Sequence, residues 1–159
     1  MPATAKIVHD RALLPARLAA LARPVVFTNG CFDILHRGHV AYLEEARALG
    51  ASLVIGVNTD ASVRRLEKGT DRPINPLDDR MAILAALESI SLVVAFDEDT
   101  PLELIKQVRP DHLVKGGDWA TGQIIGNDFV RSYGGKVHSI PFRFERSTTE
   151  LLRRIRQPK

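Results

Sequence analysis

The chain has a single cysteine, Cys31, in 159 residues. No disulfide can form within it, and a lone thiol suits a reducing compartment, so a cytoplasmic location is expected. No apolar run approaches the length of a membrane span, and residues 1–17 lack the uninterrupted apolar core of a secretory signal. There is no internal repeat and no low-complexity tract, which excludes solenoids and linker-like segments. Aromatic residues make up only 6% of the chain, and none is interleaved with Lys and Arg as in nucleic-acid platforms. A net charge of +3 therefore favours small anionic substrates, with neither nucleic acid nor membrane as partner. Hydrophobic residues at 45% and charged residues at 26% are ordinary for a globular protein. Residues 1–159 read as one domain, able to bury about 68–70% of its unfolded surface, with 1–23 as an N-terminal helical lead-in.

The stretch from Val25 to His39 organises the rest. Val25, Val26 and Phe27, bounded by Pro24 and by Asn29-Gly30, read as a short buried strand emptying into a turn. In open α/β sheets ligands sit at such strand ends. Val40, Leu43, Ala46 and Leu49 then recur at helical spacing before Gly50, which predicts an amphipathic helix starting near Arg37 or Gly38. His36 and His39 stand three apart at its mouth and share a face, with Gly38 leaving the backbone open between them. Two imidazoles, unpaired backbone N–H groups and a positive dipole end suit phosphate. Histidines satisfied by solvent would leave the His-Gly-His spacing unexplained. A zinc site on Cys31, His36 and His39 lacks a fourth ligand, so no metal site is assigned.

Strand and helix alternate through the remainder. Arg11 to Ala22 is an Ala/Leu-rich helix, with Pro15 tolerated early or marking its true start. Ser52 to Val57 is a second strand ending at Asn58-Thr59-Asp60, followed by a helix over about Ala61 to Leu66. Glu67 to Asn75, with Lys68, Asp71 and Arg72, has loop composition and is either a mobile flap or a solvated surface loop. Asn75 and Pro76 read as N-cap and first residue of a helix reaching Ser89. Arg80 in its first turn opposes the helix dipole. Either an anionic ligand or pairing with Asp78, Asp79 or a neighbouring loop accounts for it. Leu92 to Phe96 is the third strand, and Thr100-Pro101 opens a helix to Val108.

His112 to Lys115 is the fourth strand, discharging into Gly116-Gly117-Asp118-Trp119, where the glycines admit a flat ligand. Trp119 either covers that ligand or anchors a tight loop. A helix near Ile124 to Tyr133 and a fifth strand, Lys136 to Ile140, follow. The last helix, to Arg156, opens on Ser147-Thr148-Thr149-Glu150, where Ser147 and Glu150 form a capping box. The expected fold is α/β, a Rossmann-like three-layer sandwich with a parallel five-stranded sheet and helices on both faces.

Gly30-Cys31-Phe32-Asp33 and His36-Arg37-Gly38-His39 resemble the signature of the nucleotidyltransferase superfamily, His-x-Gly-His after the first strand. Ser147 to Thr149 matches its Ser-Thr motif, which the resemblance sets on the β and γ phosphates; capping and binding can share this helix end. Thr28 to Asp33, Val57 to Val63, Arg72 to Pro76, Asp99 to Glu103 and Lys115 to Trp119 extend the resemblance over nearly the whole chain, to the heptose 1-phosphate adenylyltransferase branch.

That resemblance implies transfer of AMP from ATP, with Mg²⁺, to D-glycero-β-D-manno-heptose 1-phosphate, giving ADP-heptose and pyrophosphate for lipopolysaccharide core synthesis. It implies catalytic roles for His36, His39, Lys68 and Arg80. ATP would lie on Asn29, Gly30, Cys31, Phe32, Asp33, Gly38, Lys115, Gly116, Asp118, Ser147, Thr148 and Thr149, and the sugar phosphate on Asn58, Asp60, Arg72 and Trp119. A homo-oligomer, a dimer, is expected. Many relatives fuse this unit to a sugar kinase, for which this chain leaves no room, so a separate kinase and a phosphatase are expected. One departure is Glu145-Arg146 before Ser147, where many relatives carry a glycine and a small residue. It bears on how close that loop comes to the nucleotide.

A sugar phosphate is ionised near neutral pH, so its oxygen attacks the α-phosphorus without a protein base, and no nucleophile constellation is present. Catalysis then rests on in-line positioning and on charge stabilisation by His36, His39, Lys68 and Arg80. Asp33 either orients the attacking side or shares Mg²⁺. Two other readings are a glycerol 3-phosphate cytidylyltransferase, against which Asn58 to Asp60 and Lys115 to Trp119 stand, and a nucleotide-binding regulator without turnover, against which the intact histidines and hydroxyls stand.

Overall fold

A computed structural model describes residues 2–66, 69–144 and 146–158. Its sheet has six strands, all parallel: β1 (Ile7–Val8), β2 (Val25–Gly30), β3 (Ser52–Asn58), β4 (Leu92–Phe96), β5 (His112–Gly116) and β6 (Lys136–Ile140), in the order β1-β4-β3-β2-β5-β6. The sixth strand corrects the expected five. Ile7 and Val8 align with Val93 and Val94 at one edge, a pairing too short to leave any periodicity in the sequence.

The central strands read as continuous apolar runs because both their faces are covered. β3 is buried along its whole length. Side chains alternate between two cores. Val26, Leu53, Ile55 and Val57 pack with Tyr42, Leu43 and Ala46 of α2 (Arg37–Arg47) and with Met81, Leu84 and Ala85 of α4 (Leu77–Ala85). Val25, Phe27 and Val54 pack with Leu14 of α1 (Leu14–Ala19), Leu104, Ile105 and Val108 of α5 (Leu102–Val108) and Val130 of α6 (Asn127–Ser132). Between β3 and α4 lies α3 (Asp60–Arg65), capped by Thr59, whose Oγ1 accepts from the Ser62 N–H at 3.1 Å. The chain closes with α7 (Thr148–Arg156).

Helix boundaries differ from expectation for local reasons. Pro76, not Asn75, is the N-cap of α4, with no side-chain cap, because the Asn75 amide donates instead to the Asp33 carbonyl at 2.6 Å. That helix ends at Ala85 rather than Ser89. Ahead of α1 a 3₁₀ turn occupies Arg11–Leu13, so that segment is not one continuous α-helix, whereas the helix expected near Ile124 to Tyr133 is α6, shorter at its start. Among the described residues no helix is long and apolar enough to cross a membrane.

Candidate active site

Strand connections run outward from β2 to β3 and β4 on one side, while β5 and β6 lie on the other. Such a reversal opens a crevice at the carboxyl ends of the strands it separates. Here β2 and β5 are those strands, and a cleft of about 410 Å³ lies beyond Asn29-Gly30 and Lys115-Gly116.

His36 is the N-cap residue of α2 and His39 lies in its first turn. Their rings stack, centroids 3.8 Å apart and planes 24° from parallel, and both line the cleft. Gly38 makes this possible: a Cβ there would stand 3.0 Å from the His36 Cε1 and Nδ1 atoms. Its part is to make room for the histidine, not to expose backbone to the ligand, and it is not among the residues lining the cleft. Burial lowers the His36 pKa and the Arg146 cation lowers it further, both favouring the neutral ring. Its buried Nδ1 has no hydrogen-bond partner among the described residues. Beneath the floor, Thr28 and Tyr42 share a buried hydrogen bond, and burial raises the Tyr42 pKa.

Asp33 also faces the cleft, but as a latch. Oδ1 accepts from the Ile74 and Asn75 N–H groups at 2.9 and 2.8 Å, and Oδ2 accepts from Arg72 Nε at 2.6 Å. Both oxygens are thus engaged within the protein, and no other acidic residue lines the cleft among the described residues. Arg72, expected on the sugar phosphate, lines the cleft wall while held by Asp33. The loop from Arg72 to Asn75 is thus anchored, which removes that half of the expected flap. Lys68 and Glu67 lie outside the described residues.

Arg80 corrects a second expectation. Its guanidinium is buried behind the cleft, donating to Cys31 O at 2.7 Å, Asn58 O at 2.8 Å and Asn75 O at 3.0 Å, and pairing with Asp60 Oδ1 at 2.7 Å. The dipole misfit is resolved by carbonyls and a carboxylate from other loops, so Arg80 is a clamp and not a phosphate ligand in this structure. Asn58 and Asp60, expected on the substrate, belong to the same clamp. Asn58 is buried, its amide donating to Ser62 Oγ at 2.9 Å and its Oδ1 accepting from Cys31 Sγ at 3.8 Å.

At β5, Lys115 and Gly116 line the cleft as expected, whereas Asp118 is exposed and lines neither cavity described here. A Cβ on Gly116 would meet the Phe142 ring at 2.9 Å and Tyr42 at 3.2 Å, so glycine admits the aromatic wall. Sequence reasoning missed Phe142, which lines the cleft half exposed and edge-on to Tyr42, with centroids 5.7 Å apart. The glycine was a usable signal, but its partner after β6 carried none. Trp119 is directed elsewhere, into a neighbouring apolar cavity of about 130 Å³ that shares only Asn29 and Lys115 with the main cleft.

The segment after β6 straps across α2. Arg37 lies 3.9 Å from the Phe144 ring centroid, Arg143 pairs with Glu45 at 3.1 Å, and Thr148 Oγ1 donates to Ile34 O at 3.2 Å. These contacts bring Arg146, Ser147, Thr148 and Thr149 to the cleft; Glu145 lies outside the described residues. Ser147 Oγ accepts from Glu150 N at 3.0 Å, but the Glu150 carboxylate turns to Arg153 at 2.7 Å, so only half the expected capping box forms. The cleft therefore brings together two helix N-termini, the stacked histidines and the Ser147, Thr148 and Thr149 hydroxyls, with Asp33 the one acidic lining residue among those described.

The cytidylyltransferase-like family model matches residues 27–152. A D-beta-D-heptose 1-phosphate adenylyltransferase of Bordetella bronchiseptica is 59% identical over 152 residues, covering 94% of both chains. The Bifunctional protein HldE of Alcanivorax borkumensis is 57% identical over 133 residues, 84% of this chain but 28% of its own length. Among solved structures, a lipopolysaccharide core biosynthesis protein of Thermoplasma volcanium GSS1 aligns over 77% of this chain and 98% of its own, at 26% identity and a TM-score of 0.61. Pantoate-beta-alanine ligase from Francisella tularensis shares the fold at 13% identity and a TM-score of 0.62, over 90% of this chain and 68% of its own.

Proposed function

Since the chain belongs to the cytidylyltransferase-like family, we propose that it is a nucleotidyltransferase that moves AMP from ATP onto D-glycero-β-D-manno-heptose 1-phosphate, releasing pyrophosphate and forming ADP-heptose. One observation carries the reading: the N-termini of α2 and α7 converge on one cleft at the β2/β5 crevice, joined by the Thr148 to Ile34 hydrogen bond, with the stacked histidines between them. Helix N-termini favour anions, and a chain of phosphates can touch both at once. Identity of 59% to an enzyme named for this acceptor supports the sugar phosphate.

In this reading His36 and His39 donate to the α-phosphoryl oxygens and Ser147, Thr148 and Thr149 hold the β and γ phosphates. The adenine lies against Phe142 and Gly116, and the sugar enters from the Trp119 side past Asn29 and Lys115. The acceptor phosphate attacks the α-phosphorus in line. The α-phosphorus to bridging-oxygen bond breaks, and the electron pair leaves with pyrophosphate. No proton need be removed, because the attacking phosphate oxygen is already ionised. Preorganised donors stabilise charge as it develops on the phosphoryl oxygens. Mg²⁺ accompanying ATP would offset part of the triphosphate charge, with Asp33 the one acidic residue lining the cleft among those described. The same reading expects a cytoplasmic homodimer.

A pyrophosphate-release panel tests it. ATP and CTP are each offered with heptose 1-phosphate, glycerol 3-phosphate and other sugar phosphates. Release from ATP that depends on heptose 1-phosphate is expected. Faster release from CTP, or none with any acceptor, rejects the assignment.

A further inference from the structure

We infer that Tyr42 is a positioning residue for the transfer: its buried hydroxyl fixes where α2 stands on β2 and β5, and with it where His36 and His39 meet the α-phosphoryl group. The inference rests on the proposed role of those histidines, and it adds a residue that stands outside the apolar stripe of Val40, Leu43, Ala46 and Leu49.

Three elements meet at this side chain. Tyr42 follows His39 by three positions and so shares its face of α2, one turn further from the N-terminus. Its hydroxyl and that of Thr28, on β2, share a hydrogen bond, with Thr28 wholly buried and Tyr42 5% exposed. The Gly116 backbone, at the end of β5, also bonds this hydroxyl, while burial favours its protonated form. Thr28 stands two residues before Gly30, and Gly116 follows Lys115, so both anchors adjoin the strand ends that floor the cleft. The ring reaches the cleft too, edge-on to Phe142, and Gly116 leaves room for both: a Cβ there would stand 2.9 Å from Phe142 and 3.2 Å from Tyr42.

A hydrogen bond does what apolar contact does not. Leu43 and Ala46 hold the helix by burial, which is non-directional and tolerates sliding. A buried hydroxyl pair is directional, and leaving either member unmatched is costly, so the helix has one favoured position. The turn that carries the imidazoles moves with it. His36 O accepts from the His39 and Val40 N–H groups at 2.9 and 3.3 Å, closing that turn just ahead of Tyr42, and the two rings stack with centroids 3.8 Å apart. A displacement of α2 is therefore passed on to both rings. Charge stabilisation during transfer is sensitive to it, a misplacement of about 1 Å costing up to about 100-fold in rate.

The test uses the whole protein with Y42F, T28V and the double variant, each change keeping the shape of the side chain while removing a hydroxyl. Y42F keeps the ring beside Phe142, so equilibrium ATP binding should stay close to wild type while kcat falls by about tenfold. T28V should show the same split, and the double variant should fall no further than Y42F, because both changes break one bond. In the free protein the His36 and His39 ring resonances, followed by NMR, should shift in Y42F and in T28V, since neither change removes an aromatic ring and a shift then reports movement. Wild-type kcat in Y42F overturns the inference, as do a loss that merely follows the folded fraction, additive losses in the double variant, or unmoved histidine resonances. Resonances that move in both single variants, in a protein that turns over no acceptor, would reject the proposed activity while upholding Tyr42 as the residue that places α2.

Discussion

Arg72 Nε donates to Asp33 Oδ2 at 2.6 Å with the two side chains 6% and 0% exposed, so an ion pair has been withdrawn from water at the wall of the cleft. Burial alone would raise the Asp33 pKa. The N–H groups of Asn75 and Ile74, together with Arg72, outweigh it and hold the carboxyl below its ordinary value. A carboxyl whose folded pKa is depressed contributes stability above its unfolded pKa, and that contribution is lost as pH falls through the folded value.

Asp33→Asn should therefore lower stability by about 3–5 kcal/mol at neutral pH, the usual cost of leaving one member of a buried pair alone. Urea unfolding across pH will read this. The gap between wild type and variant should shrink as acid protonates Asp33, below about pH 4. A gap that stays constant down to the acid limit would mean that the carboxylate charge is not what latches residues 72–75.

His36→Ala and His39→Ala should each reduce kcat by about 2.7–4 kcal/mol in activation free energy while changing ATP affinity little, since their donors act on charge that develops during transfer. Presteady-state pyrophosphate release and equilibrium ATP binding separate the two effects. A loss confined to binding would move the histidines from catalysis to recognition.

Arg80→Met replaces the clamp without filling its hydrogen bonds. Because Cys31 O, Asn58 O and Asn75 O would lose a charged donor together, the expected result is a drop of several kcal/mol in stability, on the scale of a broken buried network, with activity lost in proportion to unfolding. A variant of undiminished melting temperature that has lost kcat would return Arg80 to the phosphate.

Phe142→Ala should weaken ATP binding by about tenfold, within the 1–3 kcal/mol typical of base stacking on an aromatic ring, and leave the acceptor KM unchanged. Trp119→Ala should show the reverse, because its ring faces the neighbouring cavity. Steady-state kinetics with each substrate varied in turn will tell whether the two aromatics divide the work in this way.

Reading from the residues reached the strand, turn and helix that bear the histidines, because each signal was local: an apolar run, two glycines and a helical stripe within a single stretch. Other elements depended on partners far along the chain. Arg80 advertised a conflict with its own helix, but the carbonyls that resolve it come from Cys31, just past β2, and Asn58, at the end of β3, which only the folded sheet brings together. Asn75 had the composition of a cap until Asp33 claimed its amide. The two-residue β1 is defined solely by the edge of β4. Phe142 follows a strand and a proline with no periodicity to mark it, and acquires meaning only where Gly116 leaves space.

The strap from Phe142 to Thr149 follows the last strand in the chain. The six strands of the described sheet are therefore synthesised before the residues that close the cleft. A nascent chain ending at Ile140 carries every sheet partner but lacks the second helix terminus and its hydroxyls. A chain cut after Ile140 would keep the strands of the sheet while losing Ser147, Thr148 and Thr149 from the cleft.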